Sequence, residues 1–498
     1  MQGSLEFKDD AFQTETVEYK SEDSIIPLQK QTITSDPLMI KNNAIAGVPC
    51  QQIVKQPSRD MDFNLTQVAS IDVTNLDAAQ IKAALGGGEQ IYMSNKSLYI
   101  IKSGVNWQPW VRPKDEEITD NSASATVSVS NSSYYGRLQE GLAILKADIA
   151  ADSGGIEFVA AGIVLGQAKD QYSFKEYADG SLAVATTTYM PLPEVAVAAD
   201  EDGSSSASEL VEFVNSDEPW SQIVDDTRGR NHLWVLAQKD KSLEVVRAAK
   251  NFGEIGEDIR SVRFMDGYAY IVTFKKTDPL YSFDMSVPSE FKMVGKLKIP
   301  GFSMYMHPAG DQIIGVGFDA DDQGEFAWYQ GIQVSLFDVS DPTNMQRTDN
   351  KIHGQRGSSS EVTSDAHAFF YSEEDNIFAL PVVELAGKEG NIGSQYGSEL
   401  QFSGVVLYSI EGEKLQEKGR ISHFDFIPSE CQSILKQGQW WQNNTRSLDI
   451  NRVFKVDEKI LTISRYGIKQ YGLLDFSTPI AMTHFPEADG CSTDAFID

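Results

Sequence analysis

One six-residue phrase, used three times, restricts the folds open to this chain more than any other feature: FDMSVP at 283–288, FDVSDP at 337–342 and LDFSTP at 474–479. An aspartate followed two residues later by Ser can accept backbone N–H groups across a tight corner. Proline cannot donate to a strand ladder, so it closes the strand it follows. In residues 259–342 the surroundings repeat as well. A short strand ends at Asp266-Gly267, then at Gly310-Asp311, and a β-rich strand follows each time (YAYIVTF, then QIIGVGF). The corner phrase comes next, and in the first copy an outer strand and a Pro-Gly hinge lead into the second. A repeated antiparallel sheet fits this pattern, and the aspartates at 72, 148, 284, 338 and 475 mark the same corner in different units. Their role reads as turn formation rather than metal binding or catalysis.

Seven segments read as the third strand of such a unit: FNLTQVASIDV, LAILKADIA, HLWVLAQ, LYSFDMS, IQVSLFDVS, GVVLYSI and IKQYGLLDF. Four-stranded units recurring at roughly 45–85 residues point to an all-β fold, a β-propeller of about seven blades (six to eight), in a single domain over residues 1–498. Each blade would bury both faces on its neighbours. Residues 1–60 are weakly patterned. Residues 104–135 and 200–209 read as exposed inserts, and LDAAQIKAALGGG reads as one short helix stopped by Gly86 to Gly88.

Composition narrows the partners. With 498 residues and 41% hydrophobic content the chain can bury a large core. Its formal charge of −30, from 42 basic and 72 acidic residues, opposes binding to nucleic acid and to anionic lipid. No apolar run approaches the ~20 residues needed to span a bilayer as a helix. The acidic, polar stretch MQGSLEFKDDAFQTE does not read as a signal peptide. Three cysteines without a CxxC pair leave room for one disulfide, and Cys431 with Cys491 is the favoured pairing because both lie near the C-terminus.

The strands SVRFM and YIVTF, with DPLYSFDMS, KLKIPGFSMYMHP, IIGVG, VSLFDVSDP, DAHAFF and NIFALPV, together resemble a family of secreted prokaryotic proteins. These carry a C-terminal β-propeller domain distantly related to WD repeats. The resemblance is dense over residues 259–383 and looser from 63 to the C-terminus. It implies a secreted, periplasmic or cell-surface propeller, and it supplies no catalytic residues. The family's export segment and earliest blades are not seen ahead of residue 63, which is read as truncation at the N-terminus.

Chemistry in a propeller is expected on the innermost strands. Aligning the copies places Arg263, Tyr305, His367 and Arg452 at equivalent inner positions, with Ser261, Ser303 and Asp365 two residues earlier on the same side. Such a ring suits an anionic ligand, Arg giving bidentate hydrogen bonds. Trp107, Trp110, Trp440 and Trp441 lie in polar stretches suited to stacking on a sugar or anchoring a protein. Asp319, Asp321 and Asp322 partly match a calcium loop, with Gln323 and Gln330 standing where ligands belong. Calcium is therefore the one cofactor the sequence raises. The six histidines form no HxH or HExxH pair, and His307, before Pro308, reads as a strand end. No nucleophile elbow, Walker loop or dinucleotide fingerprint is present. The expectation is a monomeric, non-catalytic scaffold for a protein or glycan partner. The alternative is a hydrolase or lyase with its site at the channel mouth.

Overall fold

The computed structural model describes residues 53–55, 65–72, 75–107, 139–150, 155–188, 212–215, 230–254, 256–274, 278–322, 327–387, 399–426 and 450–485. Strands β1 (Ile53–Lys55), β2 (Leu65–Asp72) and β3 (Asn75–Leu85) form a three-stranded sheet in the order β1-β3-β2. The first four-stranded blade follows: β4 (Gln90–Met93), β5 (Ser97–Trp107), β6 (Gln139–Ile149) and β7 (Ile156–Leu165). The second blade uses β8 (Phe174–Glu176), β9 (Leu182–Thr187), β11 (Asn231–Lys239) and β12 (Ser242–Phe252), with β10 (Glu212–Asn215) on the far side of β12. One parallel bridge, Ser242 to Ala161, ties β12 to β7.

The remaining blades are regular antiparallel meanders. The third is β13 (Asp258–Met265), β14 (Tyr268–Phe274), β15 (Asp278–Asp284) and β16 (Lys292–Ile299), and the fourth is β17 (Phe302–Ala309), β18 (Gln312–Asp322), β19 (Ala327–Asp338) and β20 (Gln346–His353). The fifth is β21 (Phe370–Ser372), β22 (Ile377–Ala386), β23 (Glu399–Glu411) and β24 (Lys414–Ile421). The sixth is β25 (Ile450–Val456), β26 (Lys459–Ser464), β27 (Gly467–Gly472) and β28 (Ala481–His484). The described residues thus make a β-propeller of six four-stranded blades and one three-stranded sheet.

Why these runs are almost continuously apolar follows from the packing. Successive side chains on a strand point to opposite faces, and here both faces are covered. On β11, Trp234 and Leu236 join a core with Tyr99 and Ile144 of the first blade, whereas Leu233 and Val235 join one with Ile259 and Ile271 of the third. On β14, Ala269 and Ile271 face backward, and Tyr270 and Val272 face forward to Phe302 and Phe337. The same alternation carries packing through the fourth, fifth and sixth blades.

Six of the seven expected third strands occupy that position, as β6, β11, β15, β19, β23 and β27. The seventh, now β2, is an edge strand of the three-stranded sheet. The expected helix is absent, because LDAAQIKAAL is β3, held between β1 and β2. Ladder hydrogen bonds on both edges and burial of Ala83 and Ala84 outweigh the helix preference of an alanine-rich run. Among the described residues there are short 3-10 turns and no α-helix.

The corner aspartates divide. Asp284, Asp338 and Asp475 accept the amides of Ser286, Ser340 and Ser477 at 3.0, 2.9 and 2.8 Å. The hydroxyls of Ser286 and Ser477, and then these amides, hold the carboxyls of Asp284 and Asp475 below the usual range. Asp148 departs from the pattern: it lies within β6 and faces Ser97 and Lys146. The side chain of Asp72 lies outside the described residues. Asp284→Ala is expected to lower stability by only about 0.5–1.5 kcal/mol, the range of one net hydrogen bond, in urea unfolding. A loss above about 3 kcal/mol would give this residue more than a turn to hold.

Candidate functional site

The first strands of neighbouring blades adjoin, β13 against β17, and the turns at Gln171–Ser173, Glu361–Thr363 and Ala366–Ala368 pack among them. This is the inner face, and it holds Arg263, Tyr305, His367 and Arg452.

Three bulges set the inner register. Each adds a residue where the first strand leaves its partner, between Ile259 and Ser261, Ser303 and Tyr305, and Ile450 and Arg452. Counting from them, Ser261, Tyr305 and Arg452 are equivalent, and Arg263 corresponds to His307. The sequence alignment was therefore two residues out between the third and fourth blades. His367 lies on no strand; it sits in the 3-10 turn before β21. His307 does not end its strand, since β17 runs on to Ala309. Pro308 is tolerated there because β17 is an edge strand of its blade.

Arg263 is held from two sides. Its Nε and one terminal nitrogen donate to the Met306 carbonyl at 2.9 and 2.5 Å. Its guanidinium lies over the Tyr172 ring at 4.0 Å, and Tyr172 meets Tyr305 edge-on at 5.8 Å. Tyr172 is placed by the turn at Gln171–Ser173, capped by Asp170, whose carboxylate accepts the Tyr172 amide at 2.9 Å. Lys169 reaches across to the Met304 carbonyl at 2.9 Å. Burial pushes the Asp170 carboxyl up and the Lys169 ammonium down.

Tyr305 hydroxyl and His307 Nδ1 are 2.9 Å apart. Burial pushes the phenol up to about 12, and burial with the Arg263 charge takes the imidazole down to about 4. At neutral pH both groups are therefore uncharged. His307 also contacts Phe369 and Tyr371, so this part of the inner face is an aromatic cluster.

A separate ionic group joins the other two expected residues. Asp365 binds Arg452 at 2.5 Å through one oxygen and His367 Nδ1 at 2.8 Å through the other. The His367 side chain is 75% exposed. Burial opposes ionisation of Asp365, but the His367 and Arg452 interactions outweigh it and hold the carboxyl low.

Beside Arg263 opens a cavity of about 370 Å³. Tyr92, Tyr172 and Phe174 supply its aromatic wall, with Gln171, Lys175 and Arg263 as polar lining. Tyr172 was not anticipated; an aspartate N-cap ahead of a short β-strand (DQYSFKE) is the only sequence signal for it. The side chain of Trp107, the whole of Trp110, Trp440 and Trp441, and all three cysteines lie outside the described residues. Asp319 lies in β18, while the side chains of Asp321 and Asp322 are outside them. Among the described residues no three His, Cys, Asp or Glu side chains gather as a metal site, and no helix is long and apolar enough to cross a membrane.

Residues 6–476 match a family described as a β-propeller domain. An uncharacterized protein of Methanocaldococcus jannaschii is 39% identical over 157 residues, 31% of this chain and 23% of that protein. One from Archaeoglobus fulgidus is 34% identical over 211 residues, 42% of this chain and 30% of that protein. The chain thus spans less than a third of the length of these curated relatives. Among solved structures, the periplasmic gluconolactonase of Pseudomonas aeruginosa aligns over 85% of this chain and 93% of its own, at 9% identity and a TM-score of 0.39. The β-propeller domain of the Trilobed protease from Pyrococcus furiosus aligns over 81% and 85%, at 11% identity and a TM-score of 0.28.

Proposed function

The chain belongs to the β-propeller domain family, and from that premise we propose that it is a non-catalytic binding scaffold that holds a protein or glycan partner. The observation that carries this reading is the commitment of the inner polar groups to one another. Arg263 is spent on a backbone carbonyl and an aromatic ring, Tyr305 on His307, and Asp365 on both His367 and Arg452. A general base needs a proton within reach and a pKa near the working pH. His307, held near 4 inside an aromatic cluster with Nδ1 taken up by the Tyr305 hydroxyl, does not meet the second condition. A scaffold needs rigidity at that position, and this bonding provides it. In keeping with the resemblance to secreted propellers distantly related to WD repeats, the scaffold works as a monomer outside the cytoplasm.

One arrangement favours the hydrolase or lyase alternative: Asp365 orients His367 through Nδ1, leaving Nε2 toward solvent. The two readings separate in one set of assays. The purified chain is offered arrayed glycans and, separately, ester, lactone and polyuronide substrates. The scaffold predicts retained ligand with no turnover above buffer. Turnover that His367→Ala abolishes would replace the scaffold with an enzyme.

A further inference from the structure

We propose that the cavity beside Arg263 is a binding site for a small organic carboxylate with an apolar body. This rests on the scaffold reading only in requiring a ligand held without turnover, and it deepens that reading by naming the ligand's chemistry.

The polar side of the cavity carries two cations. Arg263 donates Nε and one terminal nitrogen to Met306 and also hydrogen-bonds Tyr305, so it lends the cavity it lines a fixed positive charge. Lys175 lines the same cavity, is exposed, and has no acidic partner among the described residues. Gln171, also exposed, adds an amide with no hydrogen-bond partner among the described residues. Asp170 is close enough to feel the Arg263 charge, but its carboxylate is engaged by the turn it caps. In a chain of net charge −30, two cations facing one cavity without a carboxylate between them mark a place that attracts an anion. A guanidinium already fixed by a carbonyl, a phenol and an aromatic ring contributes its charge at no further ordering cost.

The rest of the lining calls for an apolar body. Ile91 and Met93, two apart on β4 and therefore on one face, line the cavity and are 60% and 66% exposed. Phe264 and Phe174 complete the lining. Two large apolar side chains left in water on an inner strand gain by being covered. The volume, about 370 Å³, lies at the small end of the range for small-molecule sites, about 300–1,000 Å³. A carboxylate at Lys175 and Arg263 with a ring or short aliphatic body over Ile91 and Met93 satisfies both sides together.

The test is calorimetric titration of the full chain with 4-phenylbutyrate, 4-phenylbutyramide, acetate and inorganic phosphate at low salt. The acid should bind, and the amide and acetate should each bind at least roughly tenfold more weakly, as loss of a charge-assisted pair or of the apolar body implies. Lys175→Gln, at an exposed position that bears on no core, should weaken the acid by roughly fivefold and leave the amide unchanged. Arg263→Gln should weaken it further, and far-ultraviolet circular dichroism checks that this variant is folded. Ile91→Ser/Met93→Ser should lose the preference for phenylbutyrate over acetate. Equal binding of acid and amide, preference for phosphate, or a Lys175→Gln variant indistinguishable from the parent would overturn the proposal. Absence of carboxylate binding beside intact partner binding sinks this inference and leaves the scaffold. Carboxylate binding with substrate turnover does the reverse.

Discussion

Glu176→Ala is expected to destabilise the protein by about 3–5 kcal/mol, the cost of breaking a buried ion pair by removing one partner. The side chain is 3% exposed and lies on β8, the inner strand of the second blade, but its partners belong to the first. The hydroxyls of Ser97 and Tyr99 donate to one oxygen at 2.9 Å each, and Ser94 donates to the other. The ammonium of Lys146, itself only 8% exposed, stands 3.7 Å away. Burial, and then the Glu176 charge, push the Tyr99 phenol up, so it remains a neutral donor across the working range. Removing the carboxylate leaves three hydroxyls between two blades without their acceptor and takes from Lys146 its buried anion, leaving it the half-exposed Asp148 at 3.5 Å and the Gln238 amide oxygen at 3.2 Å. Tyr99→Phe removes one donor and should cost about 1–2 kcal/mol. Glu176→Gln should fall between them, because it keeps the shape but loses the charge that Lys146 faces. Urea unfolding followed through the buried Trp234 of the same junction reads all three. A Glu176→Ala variant within about 1 kcal/mol of the parent would show that the blades are held by their apolar core alone.

Glu176 also shows where sequence reasoning stopped. FKEYADG reads as a strand and a turn, and nothing local says that its glutamate is buried on another blade. Long-range partners of this kind carry no periodic signal. The repeated corner was legible because its chemistry is local: Asp284 bonds an amide two residues on. Third strands were legible because burial on both faces writes continuous apolar runs. The expected helix failed for another reason: the partners of residues 75–85, the adjacent β2 and the earlier β1, leave no mark in an alanine-rich run whose composition suits a helix. At the inner face, residue types were readable but register was not. A bulge shifts the strand by one residue without changing its composition. Equivalent bulges in the two strands fix the register instead, and they pair Arg263 with His307 rather than with Tyr305.

Buried histidines make acid the condition to which this fold is most exposed. His232 is fully buried; its Nδ1 accepts the Asn251 amide, and burial, then the charges of Lys250 and Arg230, take its pKa down to about 3. His423 lies between the hydroxyls of Ser464 and Thr462, each at 2.8 Å, and burial, then Lys469, also take it to about 3. Both folded-state values lie below the unfolded value of about 6.5. As pH falls through 6.5 the unfolded chain therefore takes up protons that the folded chain refuses. The stability associated with neutral rings is intact above 6.5 and declines toward the folded values, by about 1.4 kcal/mol per pH unit for each histidine. His307, held near 4, acts in the same direction. Asp170, raised by burial, opposes the trend below neutrality, whereas Glu384 reinforces it. There burial is outweighed by the His353 hydrogen bond and the Arg420 charge, so the carboxyl is held low. The unfolding free energy should thus drop steeply between pH 6 and pH 4.5, well before ordinary carboxylates titrate. His423→Gln removes one of the protons taken up on unfolding and should flatten the slope by about 1.4 kcal/mol per pH unit, even where its stability at pH 7 is lower than the parent's. A stability profile flat from pH 7 to pH 5, or a slope that His423→Gln leaves unchanged, would mean that these rings admit protons in the folded state.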